Sequence, residues 1–164
     1  KKNFVSSTST EKIIAKIIKK KKATLAVAES ITGGLIGHRL TNRTGCSLYL
    51  RGVLVAYQDS IKCDLLKIPL KMIQAEEAVS KKVAVLMAEK VRKLFQADYG
   101  LATTGVAGPS GATKKNPVGT VWIAVSNSKI AKAEKFYFQG ERIKIKEEAA
   151  QAALEILKKM ITYK

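Results

Sequence analysis

Ser30 follows an apolar run, Leu25 to Ala28, and is itself followed closely by Thr32, Gly33 and Gly34. A hydroxyl at the mouth of a strand can attack an acyl centre once a base takes its proton. The paired glycines let the backbone approach a ligand. Free N–H groups at the start of the next helix favour an anion, either a phosphate or the oxyanion of acyl transfer. The plainer reading of the same residues is a capped helix, with Ser30 or Thr32 as the cap.

A serine nucleophile needs a base. His38, the single histidine, has no partner in sequence, so a Ser-His-Asp arrangement holds only if it happens to face Ser30. Tyr57 and Lys62 offer a second route, spanning a strand end and the first turn of a helix. A lysine whose pKa is lowered by burial or by neighbouring cations can serve as the base. Tyr57 can relay the proton or act as a phenolate beside Lys62. Read separately, the lysine is a solvated charge and the tyrosine is packing.

A third loop, GVAGPSGATKKNPVG at 105–119, follows Thr104. No Gly-Lys-Ser/Thr closes it, so it is not a Walker loop, and it lacks the dinucleotide GxGxxG. Backbone donors around Gly105, Ala107 and Gly108 can still cradle a phosphate or ribose. Thr104 can offer a hydroxyl to a substrate, and Pro109 and Pro117 stiffen the segment.

The surrounding pattern is α/β. Thr8-Ser9-Thr10-Glu11 reads as a capping box opening a helix over 9–22, with Ile13, Ile14, Ile17 and Ile18 on one face. Strands are expected at 24–28, 49–57, 99–104, 118–126 and 132–138, the last two joined at Asn127-Ser128. Helices are expected at 35–42, 60–66 and 147–161. Ser80 should cap another, whose inner stripe is Val83, Leu86, Met87, Val91, Leu94 and Phe95. Alternation of this kind predicts a three-layer α/β/α sandwich with a mixed sheet. In such sheets ligands bind beyond the carboxyl ends of strands, so the three loops should converge.

The 164 residues suit one domain spanning 1–164, with 1–8 a flexible or trimmed start. No apolar stretch is long enough to cross a bilayer, and no signal peptide is visible. Cys46 and Cys63 form no CxxC pair, which points to a reducing cytoplasm without a disulfide or zinc site. The formal charge is +17, from 30 Lys+Arg against 13 Asp+Glu. Most of it is lysine spread along helices, without any nucleic-acid motif, so nucleic acid is not expected as the main partner.

Together, AESITGG at 28–34, RGVLVAYQDSIKCDLL at 51–66, AVS at 78–80 and ATTGVAGPSGATKKNPVGTVWIAV at 102–125 resemble the C-terminal domain of the competence/damage-inducible CinA family. FQGERIKIK at 138–146 is a weaker match. The family comprises nicotinamide-nucleotide amidohydrolases, so the resemblance implies hydrolysis of the carboxamide of nicotinamide mononucleotide (NMN) in NAD salvage. It puts Ser30 at the nucleophile position and Tyr57 and Lys62 at the positions of the activating groups. It also puts Thr104 and Arg142 where the family contacts substrate or supports catalysis. Ile31 stands where many relatives carry cysteine, Ser110 and Ala112 replace glycines, and Lys146 replaces a second arginine. A lysine there loses the planar fork that grips phosphate, leaving Arg142 as the better candidate for the anionic end.

The expected catalytic set is therefore Ser30, Tyr57 and Lys62. The expected substrate contacts are Thr32, Gly33, Gly34, Thr104, Gly105, Ala107, Gly108 and Arg142. No cofactor or metal is required and no membrane partner is expected; apolar content and the family both lean toward a homodimer. The competing readings are a catalytically silent nucleotide-binding module and a basic nucleic-acid-associated protein.

Overall fold

Leu25–Glu29 (β1) is buried along its whole length. The cause is its position: it pairs in parallel with both Leu50–Val55 (β2) and Tyr99–Gly105 (β3). A strand covered by helices on both faces must be apolar on both. The computed structural model, which describes residues 9–163, places these strands in a five-stranded mixed sheet of order β2-β1-β3-β4-β5. β4 (Thr120–Ser126) and β5 (Ala131–Tyr137) complete it as antiparallel neighbours.

Side-chain size sorts the two faces. Leu25, Val27, Leu101, Val121, Ile123 and Val125 point to one core, which is closed by α1 (Thr10–Lys20), α2 (Leu35–Thr41) and α6 (Arg142–Thr162). Their alternate neighbours, Ala26, Ala28, Ala102 and Ala124, point the other way. Small residues on that face let α5 (Lys81–Leu94) lie close to the strands. At Gly100 the approach is tightest, because an added Cβ would sit 2.0 Å from the Ala88 carbonyl oxygen. α3 (Asp59–Asp64) and α4 (Leu70–Glu76) lie in the β2-to-β3 crossover that α5 completes, and Ile73 of α4 shares the α5 core. Each fully buried Ile or Leu of these cores contributes about 1.5–3 kcal/mol.

Several local expectations change. Thr8 lies outside the described residues, and the α1 cap is Ser9, whose hydroxyl accepts the Lys12 N–H at 3.3 Å. Glu11 accepts from Arg39 Nε at 2.6 Å and ties α1 to α2. Burial raises the Glu11 carboxyl, but the Arg39 hydrogen bond and charge, with backbone help, leave it below the usual carboxylate range. Residues 70–76 form α4, a helix the pattern did not suggest, because Pro69 opens it rather than ending the previous one. Ser80 does cap α5, accepting the Val83 N–H at 3.2 Å. Leu94 is exposed and Leu86 only half-buried, so the inner stripe is Val83, Ala84, Met87, Ala88 and Val91. The β4–β5 turn is longer than a two-residue hairpin; the Asn127 side-chain oxygen accepts the N–H groups of both Lys129 and Ile130.

The largest change concerns α6, which begins at Arg142 and not at Glu147. Ile143 and Ile145 alternate with lysines and imitate a strand, yet Ile145 is buried in helical register with Ala149. Among the described residues no helix is long and apolar enough to cross a membrane.

Candidate active site

The carboxyl ends of β1, β2 and β3 open onto one cavity of about 280 Å³. Ser30, Tyr57, Lys62, Thr104, Gly105, Ala107, Gly108 and Arg142 all line it, so the three loops do meet. β1 and β3 are adjacent while the chain crosses between them by way of β2, which leaves the crevice that open α/β sheets offer to ligands.

Ser30 terminates β1, its N–H donating to the Thr103 carbonyl at 3.0 Å. That bond continues the β1–β3 ladder and fixes the serine at the cavity wall. Lys62 is only 1% exposed, an unusual burial for an ammonium. Its Nζ donates to Asp59 Oδ1 at 3.0 Å and to the Tyr57 carbonyl at 3.3 Å. Asp59, which is outside the expected catalytic and substrate-binding set, also lines the cavity. The signal for it was present: an acid three positions before a lysine on a helix faces it.

Tyr57 takes a different place from the one expected of a relay. Its hydroxyl accepts from Arg142 Nη2 at 2.8 Å, and Lys62 touches its backbone rather than its ring. Arg142 also donates from Nη1 to the Gly108 carbonyl at 2.7 Å. One guanidinium thereby joins the β2 loop, the β3 loop and the first turn of α6, and keeps further N–H groups for an anion. Thr104 is buried and donates to the Ala78 carbonyl at 2.8 Å, which leaves its oxygen lone pairs as acceptors. At Gly108, φ is +74° and an added Cβ would lie 2.6 Å from Val118. Glycine alone lets this loop pass so close.

Thr32, Gly33 and Gly34 do not join them. They line a separate cavity of about 400 Å³ with His38 and Lys146, so neither that histidine nor that lysine shares the Ser30 cavity. The Thr32 hydroxyl bonds Glu29 and Thr103, and the Gly33 N–H donates to the Ser30 carbonyl. The start of α2 is likewise occupied. Glu29, fully buried, accepts from the N–H groups of Gly34, Ile36 and Gly37 at 3.0, 3.2 and 2.8 Å. The expected anion site at this helix end is filled by a side chain of the protein itself. Sequence reading passed over Glu29, although α2 has no acid in its own first turn and an acid just upstream is the natural substitute. Ile31 and Thr32 keep the amides of that turn that have no hydrogen-bond partner among the described residues. Among those residues no cluster of three or more His, Cys, Asp or Glu is placed to hold a metal.

A family model described as the CinA C-terminal domain matches residues 7–161. A CinA-like protein of Syntrophus aciditrophicus is 43% identical over 152 residues, covering 92% of this chain and 36% of that protein. One from Gemmatimonas aurantiaca is 46% identical over 136 residues, covering 83% and 32%. The chain thus spans about a third of the length of these curated relatives. Among solved structures, a CinA superfamily protein from Enterobacter cloacae superposes with a TM-score of 0.89 at 27% identity, covering 93% of this chain and 90% of the other. The competence/damage inducible protein CihA from Agrobacterium tumefaciens gives 0.86 at 29%, covering 94% and 96%. The family match over nearly the described chain, the relatives above 40% identity and the shared fold lead to one conclusion: the chain belongs to the CinA C-terminal domain family.

Proposed function

We propose that this domain hydrolyses the carboxamide of NMN to nicotinate mononucleotide and ammonia, with Ser30 as nucleophile. The observation that carries the reading is the convergence of Ser30, Lys62, Tyr57 and Arg142 on one cavity at the strand ends. In this reading Ser30 Oγ attacks the carboxamide carbon and Lys62, acting as the neutral amine, takes its proton, alone or through Tyr57. The proton is passed to the amide nitrogen, the C–N bond breaks and ammonia leaves. Water then cleaves the acyl-serine ester with the same base, releasing the carboxylate.

The roles follow from the contacts. Lys62, held by Asp59 and the Tyr57 carbonyl, is fixed rather than free to sweep through solvent. As an acceptor from Arg142, the Tyr57 hydroxyl keeps its own proton to donate and a second lone pair to accept with. The same bond suits Tyr57 and Arg142 to gripping the 5′-phosphate together, with Gly105, Ala107 and Gly108 framing that end. Amides of Ile31 and Thr32 are the candidates for holding the oxyanion, in place of those of Gly33 and Gly34.

The test is ammonia release from NMN in the presence of a metal chelator, for the wild-type chain and for Ser30→Ala. Loss of turnover by about 10³-fold or more with NMN binding retained is expected. Turnover that survives in Ser30→Ala would rule out the covalent route.

A further inference from the structure

On the α5 side lies a larger concavity of about 550 Å³, lined by neither Ser30 nor Lys62. Trp122 of β4 and Val79, Val85 and Leu86 give it an apolar floor. Lys81, Lys82, Lys115 and Lys135 also line it. Glu76 is the acid among its lining residues, and it is engaged by Lys82 at 3.4 Å. Among the described residues Lys81, Lys115 and Lys135 have no carboxylate partner. Lys135 is held by aromatic faces, its Nζ lying 5.8 Å over Trp122 and 5.0 Å over Tyr137. A cation resting on ring faces can turn to an incoming anion while the indole stays to receive a flat apolar group.

We propose that this cavity binds a mononucleotide: its base against Trp122, its phosphate among the lysines. The chemistry favours this class over others. An indole floor rewards a planar ring, because a base stacks on an aromatic face whatever its sequence identity. Several convergent point charges suit a multiply charged phosphate better than a single carboxylate. The site is also placed to communicate with the Ser30 cavity. Val79 lines both, and the strand of chain beside it is pinned on each side: Asn116 donates to the Val79 carbonyl at 3.0 Å, and Thr104 to that of Ala78 at 2.8 Å.

Trp122 is the one tryptophan in the sequence, so its emission reports on this cavity directly. The experiment titrates the 164-residue chain with adenosine 5′-monophosphate and follows that emission. A saturable change is expected, with adenosine or inorganic phosphate alone at least about tenfold weaker, since each lacks one half of the recognition. Lys115→Gln with Lys135→Gln should raise Kd about 5-fold or more, while Ser30→Ala and Arg142→Ala leave it within about twofold. NMN turnover of the double lysine variant should match wild type, which keeps this result separate from the fate of the deamidase reading. Three outcomes overturn the proposal. The first is no saturable response; the second is a Kd that follows Arg142→Ala instead of the lysines. The third is a response to a short oligothymidylate but none to the mononucleotide.

Discussion

Arg142 donates to the Tyr57 hydroxyl at 2.8 Å across 85 positions of sequence. Both residues line the Ser30 cavity, and the contact is possible because α6 starts as early as Arg142.

If that guanidinium grips the anionic end of the substrate, Arg142→Ala should raise KM about 10–100-fold, the equivalent of a lost charge-assisted bond of 1.5–3 kcal/mol. Arg142→Lys should recover only part, because an ammonium cannot span Tyr57 and Gly108 at once. Steady-state kinetics on NMN read both; an unchanged KM in the alanine variant removes Arg142 from the binding role.

Asp59→Asn leaves the buried Lys62 ammonium without its ion-pair partner. Asp59 is about half exposed but Lys62 is buried, so leaving the ammonium unpaired should cost about 1–3 kcal/mol. The larger expected effect is on kcat, because the side chain that holds Lys62 Nζ in place has lost its charge. A kcat for NMN identical to wild type would show that the pair has no part in the reaction.

Glu29→Gln tests the clamp at the start of α2. The amide keeps an acceptor but brings donors to face the N–H groups of Gly34, Ile36 and Gly37, and should cost about 1–3 kcal/mol. Thermal melting measures the loss. Because Ser30 is the next residue, kcat should fall while KM for NMN stays near wild type, and Glu29→Ala should be worse in both stability and kcat.

The Glu11–Arg39 pair predicts a pH dependence of stability. Its carboxyl is held below the ordinary value of 4.5 in the fold, so the pair stabilises above that value. That contribution is lost as pH falls from 4.5 through the folded value. Denaturant unfolding from pH 6 to pH 3 should show a steeper loss for wild type than for Glu11→Gln, the two differing by about 1 kcal/mol at neutral pH.

Much of this was legible before any coordinates. The buried β1 run, the Ser80 cap and the apolar faces of α1 and α6 are local patterns, and local patterns write themselves into sequence. So was the meeting of Ser30, Lys62 and Thr104, since strand ends in a parallel sheet share one edge. What escaped depends on distant partners. Nothing near Tyr57 signals that its hydroxyl belongs to Arg142, and the lysine-isoleucine alternation after Arg142 conceals a helix. The double glycine drew attention as a ligand cradle, yet the amides of Gly33 and Gly34 are answered by the Ser30 carbonyl and by Glu29.

Glu29 and Ser30 are consecutive, and their side chains part ways: one is sealed beneath α2, the other borders the cavity. The start of α2 is thereby insulated from change at position 30. A lineage can exchange the hydroxyl for another group without unseating the helix, because the anchor is the residue before it. Redesign of the chemistry at this strand end should begin at position 30 and leave position 29 alone.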